Sequence, residues 1–93
     1  MTYELGFLDV ALKEWGKLDG STREQFKTKL TVRLITPRIP SAQLGGHRDR
    51  YKIKLRGVGY RLVYEVRDQE LIVIVVAVGK RERNAVYKAA ARR

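Results

Sequence analysis

A chain of 93 residues, 44% hydrophobic and without cysteine, has the material for one self-sufficient core and none for disulfides or thiolate metal sites. Its net charge of +10 is unevenly placed: residues 1–30 carry five Lys/Arg against five Asp/Glu, whereas residues 31–93 carry fifteen against five. A localised cationic excess points to a polyanion, nucleic acid above all, or to an acidic protein partner, because charge that serves solubility alone has no reason to spare a third of the chain.

The opening MTYELGFLDV lacks a basic segment followed by an apolar one, and the longest apolar run, LIVIVVAV, is far short of a bilayer span; a cytoplasmic location without a membrane partner is expected. Within that opening, Tyr3, Leu5 and Phe7 alternate as in a short strand. Asp9 is then placed to cap a helix in which Leu12, Trp15 and Leu18 share a side and which ends near Asp19-Gly20. The tetrapeptide Ser21-Thr22-Arg23-Glu24 reads as a capping box, and Phe26, Leu30 and Leu34 follow at spacing four until Pro37 stops the run. The two helices form an αα-hairpin whose apolar stripes are core. Residues 37–50, with two prolines and a Gly-Gly pair, predict a loop bearing Arg38, Arg48 and Arg50.

Next comes YKIKLRGVGYRLVYEV, residues 51–66. Its alternation predicts a β-hairpin with Leu55 against Tyr60, Ile53 against Leu62 and Tyr51 against Tyr64 on the core face, closed by a type II′ turn at Gly57-Val58. The other face then carries Lys52, Lys54 and Arg61, with Lys54 directly opposite Arg61. Like charges facing each other across two strands disfavour the fold, so an anion is expected there. LIVIVVAV, unalternating and β-branched, predicts a central strand antiparallel to residues 60–66. That pairing carries Gly79-Lys80-Arg81 back towards the Gly57-Val58 end, within reach of Lys54 and Arg61. ERNAVYKAAARR predicts a C-terminal helix, on which Tyr87 is either a core contact or an aromatic platform for a base.

The chemistry open to such a set is narrow. Asp49, Glu65, Asp68, Glu70 and Glu82 are scattered rather than clustered as a metal nuclease needs, and His47 is the sole histidine and reads as a surface loop residue. No nucleophilic triad, phosphate loop or dinucleotide fingerprint appears. No cofactor or metal is expected, and an enzyme of this composition must take its acid and base from lysine, arginine or tyrosine.

YKIKLRGVGYRLVY and VGKRERNAVY, with ALKEWGKL, REQFKTKL and PRI upstream, closely resemble the RelE toxins of bacterial toxin–antitoxin pairs over nearly the whole chain. The resemblance implies a single α+β domain over residues 1–93, of the RelE/ParE superfamily: an N-terminal strand, an αα-hairpin, then an antiparallel sheet and a C-terminal helix. It implies an endoribonuclease that cleaves messenger RNA in the ribosomal decoding site through attack of the ribose 2′-hydroxyl on the adjacent phosphate. It further implies three partners: the 70S ribosome with its messenger, an antitoxin of the RelB type, and operator DNA bound through that antitoxin. By position, Lys54 matches the general base, Lys52 the phosphate-orienting residue, Arg61 the transition-state clamp, Arg81 the residue at the leaving 5′-oxygen and Tyr87 the aromatic that stacks on the nucleotide. Arg48, Arg50, Arg56, Lys80, Arg83 and Lys88 are expected to bind RNA around that set. Such toxins can carry a basic residue where this chain has Gly45. Two other readings fit the charge or the fold: a non-enzymatic nucleic-acid binder, and a ParE-like toxin that inhibits a DNA topoisomerase by binding it.

Overall fold

In the computed structural model, which describes residues 2–93, the alternating stretches form four strands, β1 (Glu4–Phe7), β2 (Arg50–Leu55), β3 (Tyr60–Arg67) and β4 (Ile72–Lys80). Three helices accompany them: α1 (Asp9–Gly16), α2 (Gly20–Ile35) and α3 (Ala85–Ala91), with a 3-10 turn at Pro40–Ala42 inside the expected loop. The sheet order is β1-β4-β3-β2. The β-branched run is therefore central, flanked by β1 and β3, as its lack of alternation requires. The sheet is mixed rather than purely antiparallel: Glu4 to Phe7 lie parallel to Ile72 to Val75. The αα-hairpin and the β2–β3 hairpin intervene and form the crossover that parallel pairing needs.

The helix boundaries differ from expectation for local reasons. The Leu8 N–H donates to the Val75 carbonyl at 3.0 Å and Leu8 stays extended, so it occupies the cap position and Asp9 becomes the first helical residue. There its carboxylate still suits the helix dipole. The face of α1 turned to the core holds the wholly buried Ala11 and the partly buried Trp15, followed by Leu18 just beyond the helix, whereas Leu12 is 52% exposed. Asp19, read as the end of the first helix, instead caps the second: its side chain accepts from the Thr22 N–H at 2.7 Å. That hydrogen bond holds the Asp19 carboxyl below the usual carboxylate range. The expected Ser21–Glu24 box does not form, since the helix has already begun, and Glu24 pairs with Lys27 at 3.3 Å.

On one side of the sheet Phe26 and Leu30 of α2 bury Ile53, Leu62, Tyr64, Val73 and Val75. On the other, Val86 and Ala90 of α3 cover Val63, Val76 and Ala77. A β-bulge joins the two arrangements. Val63 pairs with Ala77 but Tyr64 with Val75, leaving Val76 as the extra residue in β4. The shift sets Gly79 opposite Arg61, so that no side chain from β4 fills the space beside that guanidinium.

Candidate active site

The β2–β3 pairing is as the alternation predicts: Tyr51 with Tyr64, Ile53 with Leu62, Lys54 with Arg61 and Leu55 with Tyr60. Tyr51, Ile53, Leu55, Leu62 and Tyr64 are buried against the helices, which leaves Lys52, Lys54 and Arg61 on the opposite face by strict period two. The turn differs. Gly59, at φ +71, is the residue in the left-handed region, and Gly57 is not. The Gly59 N–H closes on the Leu55 carbonyl at 2.8 Å, so residues 56–59 form a four-residue loop rather than a two-residue type II′ turn. Its Gly59 carbonyl accepts from the Arg81 N–H at 2.8 Å. By this bond the loop fixes the backbone just after β4 and brings Arg81 to the hairpin.

Lys54, Arg56, Arg61 and Arg81 thereby line one depression of about 330 Å³ together with Leu55 and Tyr60. None of the ion pairs among the described residues involves Lys52, Lys54, Arg61 or Arg81. The basic charges are left uncompensated by protein carboxylates. The Lys54 ammonium feels this: its pKa is lowered from the ordinary lysine value, chiefly by the charge of Lys52, then by desolvation, Arg61, Arg56 and Arg81.

Tyr87 of α3 sits across this face. Arg61 Cζ lies 5.3 Å and Lys52 Nζ 5.9 Å from its ring centroid, within the range of cation–π attraction. The two sequence readings of Tyr87 are compatible, because the ring packs against the second core cluster while facing the cations. Its hydroxyl oxygen is buried without a hydrogen-bond partner. A buried orphan hydroxyl costs on the order of 1–3 kcal/mol. Tyr87→Phe is therefore expected to raise the melting temperature, by roughly 4–8 °C for about 1 kcal/mol in a domain of this size; a lowered melting temperature would contradict the burial of that hydroxyl.

The surrounding basic residues divide. Arg56 opens the four-residue loop and Lys80 lies beside it next to Arg81, Arg83 and Lys88 border a second depression with Glu82 and Ala85, and Arg48 is exposed in the loop before β2. Arg50 is turned elsewhere. Its guanidinium donates to Glu65 at 3.1 Å and to the Ala90 carbonyl at 2.5 Å, and its side chain is only 13% exposed. Sequence reading missed Arg33 of α2, whose Nη1 donates to the Tyr64 hydroxyl at 2.8 Å and to the Lys52 carbonyl at 3.3 Å. The Tyr64 hydroxyl in turn donates to the Pro37 carbonyl at 2.6 Å. This chain of bonds buttresses β2 from behind, directly beneath Lys52. No periodicity could reveal it, since it joins residues far apart in sequence.

The arrangement can bind a phosphodiester among Lys52, Arg61, Arg81 and Lys54, the last with a lowered pKa, beside an aromatic ring. The family model described as ParE toxin of type II toxin-antitoxin system, parDE, matches residues 6–85. The chain is 55% identical over 93 residues, all of this chain and 98% of the relative, to a putative RelE-like toxin protein of Escherichia coli. It is 54% identical, with the same coverage, to the mRNA interferase toxin RelE of Escherichia coli strain K12. Its fold matches that of a doubly arginine-substituted mutant of E. coli toxin RelE in the free state with a TM-score of 0.91, at 51% identity over 99% of this chain and 97% of that one. RelE in the intact E. coli RelBE toxin–antitoxin complex gives a TM-score of 0.83 at 54% identity, over 87% of this chain and 99% of that chain.

Proposed function

Because the chain belongs to the RelE toxins of the RelE/ParE superfamily, we propose that it is a metal-independent endoribonuclease that cleaves messenger RNA in the decoding site of a translating 70S ribosome. The observation that carries this reading is the uncompensated set of Lys54, Arg61 and Arg81 around one depression, with Arg61 and the neighbouring Lys52 facing the Tyr87 ring. Its curated relative is named an mRNA interferase, and the chemistry of these side chains fits that name.

In the proposed reaction Lys54, in its neutral form, takes the proton of the ribose 2′-hydroxyl as that oxygen bonds to phosphorus. The bond from phosphorus to the 5′-oxygen breaks, leaving a cyclic 2′,3′-phosphate and a free 5′-hydroxyl. The pentacoordinate phosphorane gains negative charge, which Arg61 and Lys52 meet with groups already held in position, the largest electrostatic contribution such a site can make. Arg81 stabilises the leaving 5′-oxygen until it takes a proton from solvent water. Tyr87 stacks on the nucleotide and fixes its attitude. Lysine suits the role of base only with a depressed pKa, and the repulsion from Lys52, Arg61, Arg56 and Arg81 acts in that direction.

Arg48, Arg56, Lys80, Arg83 and Lys88 extend the cationic surface along messenger or ribosomal RNA. We assign Arg50 to holding α3, in view of its bonds to Glu65 and Ala90. Gly45 is exposed, has open space where a Cβ would stand, and lies outside the left-handed region occupied by its neighbour Gly46. Gly45→Arg is thus expected to fold normally and to tighten binding to ribosomes, steepening the logarithmic salt dependence by about one phosphate contact. An unchanged salt slope would exclude the loop from the RNA interface.

E. coli RelE is held by RelB in the intact RelBE complex and by a RelB peptide. By that likeness we propose that an antitoxin of the RelB type neutralises this chain in the cytoplasm, docking acidic and apolar groups on the basic surface of residues 48–61 and 80–93, and that the pair represses its own operator. The test of the enzymatic reading is primer extension on a message translated in vitro, with and without the protein: new 5′ ends at codons in the decoding site support it, and an intact message refutes it. A second reading is favoured by the family model, which carries the ParE name. Inhibition of supercoiling by a DNA topoisomerase, with message left intact, would establish that alternative.

A further inference from the structure

The pairing of β1 with β4 ends at Phe7 and Val75, and the edge of β4 that faced β1 continues with no strand beside it among the described residues. Two side chains take its backbone groups. Glu14 of α1 accepts from the Val78 N–H, Oε1 to N at 3.2 Å, and Arg93 donates to the carbonyl of the bulged Val76 at 2.9 Å. The two are also joined to each other by a two-pronged ion pair, Nη1 to Oε1 at 2.8 Å and Nη2 to Oε2 at 3.1 Å, with side chains 22% and 30% exposed. The Arg93 N–H bonds to the Ala90 carbonyl and so prolongs the last turn of α3. The cluster thereby fastens the C-terminal end of α3 to α1 and to the bulge.

Apart from this cluster and the Arg50 bond to the Ala90 carbonyl, little holds this helix. Only Val86 and Ala90 of its seven residues are buried. It is entered through Arg83 and Asn84, both in the left-handed region and without a side-chain cap. A groove of about 130 Å³ remains between it and β4, lined by Glu14, Val78, Ala85, Val86 and Ala89 among others. A helix this short has no stability of its own, so its attitude over the sheet is set by what grips its ends. The residue it carries towards the cations is Tyr87.

We infer that Glu14 and Arg93 are positioning residues for cleavage: acting from the far end of α3, they hold the ring of Tyr87 in register with Lys52 and Arg61. This rests on the reading of Tyr87 as the residue that orients the nucleotide. Misplacement by about 1 Å can cost on the order of a hundredfold in rate, so even a small shift of α3 would be read in the cleavage rate.

The full-length protein carrying Glu14→Gln, Arg93→Ala or Arg93→Lys tests it, with Glu24→Gln as a control that breaks only an exposed pair on α2. Hydrogen exchange of residues 85–91, measured on the free protein, is expected to rise roughly tenfold or more in Glu14→Gln and Arg93→Ala while that of β3 stays unchanged. Single-turnover cleavage on programmed ribosomes is expected to fall roughly ten- to a hundredfold at saturation, with the half-saturating concentration unchanged and part of the loss regained in Arg93→Lys. In a Tyr87→Ala background, Glu14→Gln should cost nothing further. Unchanged exchange, or a wild-type rate despite faster exchange, overturns the proposal, as does an equal loss with and without Tyr87. Failure of the functional reading looks different: the wild-type protein would then leave message intact, and the exchange of α3 would still decide whether Glu14 and Arg93 hold the helix.

Discussion

Replacing Lys54 or Arg61 by alanine is expected to reduce message cleavage about a hundred- to a thousandfold, the range seen when one preorganised charge donor is removed from a developing anion, while leaving the melting temperature unchanged or slightly raised. The two side chains stand opposite each other across β2 and β3, and no carboxylate among the described residues pairs with either. Removing one relieves repulsion. For Arg61 that relief is offset by the lost contact with the Tyr87 ring. The pH dependence has a definite sign. The Lys54 pKa is lowered in the folded protein, so between that value and the ordinary lysine value of about 10.4 the unfolded chain binds more protons than the folded one. Stability therefore rises with pH through that window, and the advantage of Lys54→Ala at neutral pH should fade above it. Cleavage by the wild type should likewise rise with pH as Lys54 loses its proton, and the residual activity of Lys54→Ala should lack that dependence. A collapse in melting temperature with cleavage intact would reverse the assignment.

The second large effect concerns the substrate. Naked RNA should be cleaved far more slowly than the same message in a ribosome, by several orders of magnitude at saturating protein, because a flexible single strand rarely presents its 2′-hydroxyl in line with the phosphorus–5′-oxygen bond. Holding reacting groups in the attacking geometry is worth up to about 7–11 kcal/mol. Among the described residues the set at Lys54 offers cations and the rings of Tyr60 and Tyr87 around a shallow depression of only about 330 Å³. On the proposed function, the orientation comes from the ribosome. Single-turnover rates on free and ribosome-bound message make the comparison, and equal rates would place the whole catalytic geometry in the protein itself.

Much of this was legible in the sequence where the information is local. Alternation over residues 51–66, broken only at the turn and at Val63, which α3 covers, indicates the register and with it the facing of Lys54 and Arg61, because a slip by one residue would turn the cations towards the core. The unalternating run 71–78 announced a central strand. The turn was misread because two glycines compete in Arg56-Gly57-Val58-Gly59, and the pattern does not tell which adopts positive φ; the closing bond from Gly59 to Leu55 decides it. The αα-hairpin boundary was misread because both Asp19 and Ser21 can cap, and the earlier one wins. Contacts between residues distant in sequence left no trace: Arg33 beneath Lys52, and Glu14 with Arg93. Arg50 looked like one more cation of the RNA face, yet Glu65 and the Ala90 carbonyl claim its guanidinium.

The parallel pairing of β1 with β4 bears on how this protein is made. Glu4 to Phe7 leave the ribosome first but find their partner only when Ile72 to Val75 have followed. Contacts this remote in the chain form late, after the local β2–β3 hairpin. Arg81 and Tyr87 are translated later still, so Lys54 and Arg61 lack the remaining members of their set until the chain is almost complete. On the proposed function, the site that would cleave messages is therefore incomplete until almost the whole of its own message has been decoded.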